Sequence, residues 1–382
     1  MESKHRFQES YRIVERPIFK PIGTQVLDLD TPALVVDLTK LHQNIETMHS
    51  FFRDRDAKLR PHVSAHGSPA VAHMQLAAGG TVDGITVTTL GQAQVFAANG
   101  FTDIFLANII VTPIKIQSLC ALARSVMMTV AVDSARNVAD LSAAAAAGGV
   151  TLRVVVDINT RRNGAGVDPG RPALDLAQAI TDSAGLEFAG LMTYEGTILA
   201  DSEEDLVRES RKWTQQVLDT REEIEKAGID VDVVSVGGTY NYEIVGEMDG
   251  VTEIPAGSYA LMDAKYGPHR TQFANAASVM TCVTSMPEAG NVVTDGGRKA
   301  VGGDAGNPAI VGLPGAKVRG LSAEHGGIAL DPSVDHGLKL GDRVWFIPMD
   351  IAGSVNVHDY IHAIRDGKLE AIWELPARGR YR

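Results

Sequence analysis

The sequence predicts an α/β protein, namely a (β/α)8 TIM-like barrel followed by a C-terminal antiparallel β domain. Short β-rich segments alternate with helical segments from Thr31 to about Ala264. This alternation is typical of a parallel sheet, and about eight units of it favour a closed barrel. After about Gly267 the helical periodicity disappears, and strand-like segments alternate with glycine and proline turns. The competing doubly wound sheet would more often carry a glycine-rich dinucleotide loop after its first strand, and none follows Val36.

The predicted elements follow from these patterns in chain order. The predicted barrel strands are 33–36, 58–62, 84–88, 104–108, 128–132, 152–158, 188–194, 232–236 and 252–254. Predicted helices between them include 90–99, 135–147 and 202–227. The last of these begins with Glu and Asp and has Lys226 near its end, as the helix dipole prefers.

Three regions are expected along the chain. Residues 1–29 form an amino-terminal tail that joins the β domain, residues 30–267 form the barrel, and residues 268–382 form the β domain. Within the last region, strands are predicted at 277–284, 291–294 and 343–347.

Composition limits the classes of partner. The formal net charge of −12 argues against a protein that binds nucleic acid or anionic membranes, because both attract basic surfaces. No stretch reaches the ~18 consecutive apolar residues of a membrane span. Two cysteines exclude a disulfide framework and a four-cysteine zinc site. We therefore expect a cytoplasmic protein with a small-molecule substrate.

Candidate site residues lie where the predicted barrel strands end, because barrel active sites are built there. If 58–62 continued as a strand, His62, Ser64 and His66 would share one face. Two histidines beside a serine suggest proton transfer or metal binding, and the alternative is that both histidines are structural. Tyr194 ends another predicted strand as a candidate acid–base group or a packing residue.

Two consecutive glycine loops predict a site for an anion. The first loop contains Gly237, Gly238 and Thr239, and the second contains Gly257, Ser258 and Tyr259. Such loops expose backbone N–H groups, and their hydroxyls add donors, so together they form a phosphate cup. Barrels often place such a cup after the seventh and eighth strands, where these two loops fall. Arg161 is a further candidate, because paired arginines can hold a carboxylate.

These residues together resemble the D-threonine aldolase and D-serine dehydratase family, which has the alanine racemase-like architecture called fold type III. The resemblance covers nearly the whole chain in the family's order. Its motifs here are 30–37, 60–62, 236–239, 257–259 with 262–263, 295–299, 324–326, 340–344 and 365–367. It implies a barrel, a β domain, a homodimer with its site near the subunit interface, and pyridoxal phosphate as the cofactor.

This chain departs from the family's pattern where the chemistry is done. The family's motif after Arg-Pro-His reads Ala-Lys-Thr-His-Lys, and its first lysine forms the Schiff base with pyridoxal phosphate. Here Ser64 stands at that lysine, and a hydroxyl cannot form an imine, so the cofactor is expected to bind noncovalently. An arginine near the cofactor ring is also missing, and Arg161 or Arg162 is the candidate that compensates. Lys265 is the candidate substitute for the lysine.

The family's metal pair is changed as well. That pair reads His-x-Cys or His-x-Asp, and the aligned residues here are Asp350 and Ala352. Asp350 is the one candidate metal ligand that remains, and we expect no tightly held zinc, because alanine cannot coordinate a metal.

Three functions stay open on the sequence. The first is a lyase of the aldolase or dehydratase type that acts on a small β-hydroxy amino acid and binds pyridoxal phosphate without a lysine. His62, His66 or Tyr194 would then supply the base. The second is a lyase or isomerase that has abandoned this cofactor and holds another phosphorylated or anionic ligand. The third is a non-catalytic binder of a phosphorylated small molecule.

Overall fold

The computed structural model describes residues 19–160, 164–194, 200 and 202–382. In chain order the helices are α1 (Leu38–Phe52), α2 (Pro69–Ala77), α3 (Leu90–Ala98), α4 (Pro113–Leu122), α5 (Ala135–Gly148), α6 (Arg171–Thr181), α7 (Glu203–Lys226), α8 (Tyr242–Val245), α9 (Arg298–Val301) and α10 (Ile351–Val355). Within these residues, no helix is both long and apolar enough to cross a lipid bilayer.

The strands belong to two sheets. They are β1 (Ala33–Asp37), β2 (Lys58–Leu59), β3 (Ile85–Val87), β4 (Asp103–Ile109), β5 (Met127–Val132), β6 (Leu152–Asp157), β7 (Leu186–Met192), β8 (Val233–Ser235), β9 (Glu253–Ile254), β10 (Ala277–Glu288), β11 (Asn291–Thr294), β12 (Ala309–Val311), β13 (Lys317–Leu321), β14 (Gly326–Ala329), β15 (Arg343–Ile347), β16 (Tyr360–Arg365) and β17 (Lys368–Glu374).

Strands β2 to β9 form the predicted eight-stranded parallel barrel sheet. The strand order is β2-β9-β8-β7-β6-β5-β4-β3. Single bridges between Leu59 and Thr81, and between His62 and Thr86, join the two end strands of that order. Buried aliphatic side chains on the outer face of the strands pack against the surrounding helices in one continuous core. The fold class is confirmed: a barrel with a separate, largely antiparallel β domain.

The second sheet corrects the placement of the first strand. The sequence predicts 33–36 as a barrel strand, but β1 lies in the β domain. It pairs antiparallel with β10 and parallel with β16. Its Leu34 and Val36 face the main core, while Ala33 and Val35 face a second apolar cluster. A strand buried on both faces reads as a continuous apolar run, as barrel strands do.

The tail next to β1 also contacts the β domain. Gly23 N donates to the carbonyl of Leu369 at 2.8 Å, and Gln25 forms a bridge with Lys368. Both partners belong to β17, so the described part of the tail lies along the edge of the second sheet.

A buried ion triad spans the junction where the barrel sheet closes. Arg60 follows β2 and is 4% exposed. Its Nε donates to Glu253 Oε2 of β9 at 2.8 Å, and its Nη1 donates to Asp103 Oδ1 of β4 at 3.0 Å. Gly84 makes room for the triad, because a Cβ there would lie 2.3 Å from Arg60 Nη1. The guanidinium thus connects one side of the junction with the other.

We predict that Arg60→Met lowers the free energy of unfolding by about 3–5 kcal/mol, because it leaves buried carboxylates without a counter-charge. Urea unfolding followed by circular dichroism measures the change. The matched control is Arg136→Met, whose guanidinium pairs with Asp140 on the surface and should cost less than about 1 kcal/mol. An Arg60 variant as stable as this control would contradict the structural role of the triad.

Candidate functional site

A cavity of about 330 Å³ opens at the carboxyl ends of the barrel strands. Its apolar lining residues are Phe105, Ala107 and Met192. Three tyrosines also line it, namely Tyr194, Tyr240 and Tyr266. Hydroxyls supply much of its polar lining: Ser64, Thr88, Thr193, Ser235, Thr239 and Ser258. None of the lining residues in the described chain is an acid, a lysine or an arginine.

The two predicted glycine loops meet at this cavity. Gly237 has φ +74°, which glycine adopts without strain, and a Cβ at Gly238 would have no neighbour closer than 3.9 Å. The backbone N–H groups of Thr239, Tyr240 and Ser258 donate to no acceptor within the described part of the chain. Unpaired backbone donors from two adjacent loops are the groups that bind an anion. The open space beside Gly238 leaves room for one.

The second loop lies against the segment that carries Ser64. His62 N donates to the carbonyl of Ala256 at 2.9 Å. A Cβ at Gly257 would lie 2.2 Å from the carbonyl oxygen of His62, so only glycine allows this approach. The backbone contact fixes the distance between the second glycine loop and the His62–Ser64 segment.

The structure corrects the expected strand geometry of that segment. Strand β2 ends at Leu59, and residues Val63–Ala65 form a 3₁₀ turn that leads towards α2. His62, Ser64 and His66 therefore do not share one strand face. The turn brings two of them together instead, because Ser64 Oγ lies 2.7 Å from His62 Nδ1, and both residues line the cavity. Burial lowers the pKa of His62 to about 4, which keeps its imidazole neutral at neutral pH.

His66 belongs to a buried chain of hydrogen bonds behind the cavity. Its Nδ1 accepts from Ser68 N at 3.1 Å, so its Nε2 carries the proton and donates to Gln75 Oε1 at 3.1 Å. Gln75 Nε2 then donates to the Tyr259 hydroxyl at 2.8 Å. That hydroxyl donates to His49 Nε2 at 2.8 Å, and His49 Nδ1 donates to the carbonyl of Gly79 at 2.7 Å.

In this network of hydrogen bonds, two predicted site residues have structural contacts. The side chains of His66, Gln75, Tyr259 and His49 are fully buried, and His66 and Tyr259 are not among the residues that line the cavity. Tyr259 holds its loop through its hydroxyl, while its backbone N donates to Thr239 Oγ1 at 3.3 Å. The catalytic role of His66 and the cofactor-binding role of Tyr259 stay predictions, and neither side chain reaches the cavity in this structure.

The remaining predicted residues are placed as follows. Tyr194 lines the cavity with half of its surface exposed. Arg161 lies outside the described residues. Lys265 does not line the cavity, and its Nζ lies 5.6 Å from the centre of the Tyr266 ring.

Asp350, the candidate metal ligand, makes a local hydrogen bond at the start of a helix. Its Oδ1 accepts from Ala352 N at 3.0 Å and thereby caps the amino terminus of α10. Among the described residues, no group of three or more His, Cys, Asp and Glu side chains is arranged to hold a metal ion. A metal role for Asp350 stays a prediction.

Sequence reasoning missed two kinds of residue. Ser235 ends β8 and its hydroxyl is 1% exposed, lines the cavity and has no partner in the described chain. Gly237 is predicted as a site residue because it lies at the end of a barrel strand, and the same reasoning applies to Ser235. Thr88 and Tyr240 follow the same rule. His49 and Gln75 carry no such signal, because both lie on helices far in sequence from the loop that they support.

Comparisons with known proteins agree with this architecture. The family model for the alanine racemase N-terminal domain matches residues 36–264, and the model for a putative serine dehydratase domain matches residues 276–364. A D-threonine aldolase from Arthrobacter sp. is 33% identical over 97% of this chain and 99% of its own length. A 3-hydroxy-D-aspartate aldolase from Paracoccus denitrificans (strain Pd 1222) is 31% identical over 94% of each chain.

A solved structure gives the same result. The crystal structure of D-threonine aldolase from Filomicrobium marinum superposes with a TM-score of 0.90 at 32% identity, covering 95% of this chain and 99% of that one. Fold and site thus define a barrel protein of the alanine racemase type with a cavity at the carboxyl ends of the barrel strands. Within that class, the chain belongs to the D-threonine aldolase and D-serine dehydratase family, whose members named here are lyases.

The neutral buried histidines predict a pH dependence of stability. Burial is the main cause that lowers the pKa of His49, His62 and His66 to about 4, whereas in the unfolded chain each lies near 6.5. Between these values the unfolded chain binds more protons than the folded one, so stability falls as pH falls from about 6.5 to 4. The loss is on the order of 1 kcal/mol per pH unit for each histidine.

Urea unfolding at several pH values between 7 and 4.5 measures this dependence. A free energy of unfolding that stays constant over this range would show that the three imidazoles are not held neutral.

Proposed function

We propose that this protein is a lyase of the aldolase or dehydratase type that acts on a small β-hydroxy amino acid and binds pyridoxal phosphate noncovalently. The observation that carries the proposal is the cavity itself. Unpaired N–H groups of both glycine loops and the His62–Ser64 pair face the same space at the carboxyl ends of the barrel strands. The named substrates of the relatives, threonine and 3-hydroxyaspartate in their D forms, are small β-hydroxy amino acids.

The donor set fits the cofactor's phosphate but not its covalent attachment. The space beside Gly238 and the N–H groups of Thr239, Tyr240 and Ser258 suit a phosphate, which needs several donors and no bulk. The unpartnered Ser235 hydroxyl offers a further polar contact deeper in the cavity. Ser64 cannot form an imine, and Lys265 does not line the cavity. The phosphate therefore has to hold the cofactor.

The chain's own side chains supply acid–base groups. Pyridoxal phosphate, when bound, supplies an electron sink for the substrate's α-carbon. His62 is neutral, and its Nδ1 lies 2.7 Å from Ser64 Oγ, so in the tautomer protonated at Nε2 this nitrogen is a base within reach of the cavity. Tyr194 adds a phenol at the rim. Phe105 and Met192 form an apolar floor that excludes water from the reacting atoms.

A cofactor titration combined with an activity assay tests this function. We expect purified protein to bind added pyridoxal phosphate with a saturable change in its visible absorbance. The loaded protein should release aldehyde, or ammonia and a 2-oxo acid, from β-hydroxy-D-amino acids. Gly238→Asp should abolish both signals, because it adds negative charge and bulk where the phosphate must approach.

The matched control is Gly320→Asp, which adds the same charge where a Cβ meets nothing within 4 Å, and it should behave as the wild type. Protein that binds no pyridoxal phosphate at millimolar concentration would refute the cofactor assignment. If another phosphorylated compound then bound in a manner that Gly238→Asp abolishes, the second or third function considered from the sequence would replace this one.

Ser64→Lys tests whether position 64 still faces the cofactor. The new side chain would project from the same turn into the cavity, and desolvation would lower the pKa of its amine, which favours the nucleophilic neutral form. We expect borohydride, in the presence of pyridoxal phosphate, to trap a covalent adduct at residue 64, identified by mass spectrometry. A folded variant without an adduct would show that this part of the cavity has been rebuilt for another ligand.

A further inference from the structure

We propose that Ser64 is a nucleophile activated by His62, and that the cavity hydrolyses small esters that carry an anionic group. This activity is separate from the lyase reaction and needs no cofactor. The geometry that points to it is the Ser64–His62 pair at 2.7 Å inside a cavity that also holds unpaired backbone donors.

The backbone presents Ser64 as a nucleophile is presented in many hydrolases. The residue lies in the 3₁₀ turn Val63–Ala65, between β2 and α2, at the carboxyl end of a barrel strand. A strand–turn–helix connection exposes a serine hydroxyl above the sheet edge, where a substrate can reach it. The α2 helix begins shortly after the turn, with Ser68 as its cap, so the turn is held from both sides.

The imidazole is in the form that the reaction requires. A serine hydroxyl is a weak nucleophile until a neighbouring base accepts its proton. His62 Nδ1 is within hydrogen-bond distance of Ser64 Oγ, and the buried ring stays neutral at neutral pH. The ring of His66 is likewise neutral at neutral pH, because burial lowers its pKa to about 4, and it is hydrogen-bonded to Gln75.

Donors for the developing oxyanion lie next to the serine. The Gly257 backbone contacts the carbonyl of His62 so closely that no Cβ fits between them. The next residue, Ser258, lines the cavity with an unpaired backbone N–H. Backbone N–H groups fixed in a water-poor site stabilise a tetrahedral intermediate. The N–H groups of Thr239 and Tyr240 remain for the anionic group of the substrate.

The proposed hydrolysis has two stages, the acylation of Ser64 and the hydrolysis of the acyl-serine. Ser64 Oγ forms a bond to the ester carbon while its proton moves to His62 Nδ1. The carbon–oxygen bond to the alcohol then breaks, and His62 returns the proton to the departing alkoxide. Water next attacks the acyl-serine, His62 accepts its proton, and the acid leaves as Ser64 regains its hydrogen. Water is the only co-reactant.

Labelling with diisopropyl fluorophosphate tests the nucleophile without any added cofactor. The serine oxygen forms a bond to phosphorus and fluoride leaves, so peptide mapping by mass spectrometry locates the adduct. We expect one adduct at Ser64 in the wild-type protein. His62→Gln should slow the labelling about 10²–10⁴-fold, because it removes the base. Ser118→Ala, which alters an exposed helix hydroxyl, should label as the wild type.

Ser64→Cys supplies the control for access. If iodoacetamide alkylates Cys at position 64 but the folded wild-type protein takes up no diisopropylphosphoryl group, Ser64 is accessible and not nucleophilic, and the proposal is overturned. Labelling of His62→Gln at the wild-type rate would overturn the role of His62. Neither outcome affects the lyase proposal, which depends on the cofactor titration and the release of product.

Discussion

The closure of the barrel between β2 and β3 is the constraint on which the rest of the site depends. Strand β2 has only two residues, and single bridges join it to the residues in and before β3. So little backbone pairing leaves the junction weak, and the buried triad around Arg60 ties β9 to β4 across it. Because β2 ends early, the chain is free to turn over the barrel end. That turn places Ser64 beside His62, where a longer strand would have pointed alternate side chains along one face.

The same junction determines where the glycine loops lie. The Gly257 loop follows β9, the neighbour of β2, and its backbone contacts the His62 carbonyl directly. Behind it, Tyr259 is held by Gln75 and His49, which belong to α2 and α1. Every donor and acceptor in this chain of hydrogen bonds is neutral. A buried network of this kind stabilises one arrangement of the loop without leaving an uncompensated charge near the anion.

The sequence predicts the architecture well because barrel strands and their helices repeat one pattern. It also predicts both glycine loops. A backbone that a ligand must approach closely requires glycine, and glycine is visible in the sequence as a single residue type. It misplaces β1 because burial on both faces looks the same in either sheet. It wrongly places His62, Ser64 and His66 on one strand face, because strand alternation ends where the 3₁₀ turn begins. The supports at His49 and Gln75 depend on contacts between distant segments, and no local pattern records those.

In the proposed lyase, a serine in place of the lysine at position 64 would change the electrostatics of the cavity as well as its covalent chemistry. A lysine there would place an ammonium within the reach of His62, whereas Ser64 shares a neutral hydrogen bond with it. In the described chain, the cavity would then interact with an anion only through the dipoles of backbone N–H groups and hydroxyls. Dipoles bind a phosphate less tightly than an imine holds a cofactor, so occupancy follows the ligand's free concentration. A cavity loaded in this reversible way can hold a cofactor at one time and an anionic ester at another, and both proposed activities follow from that property.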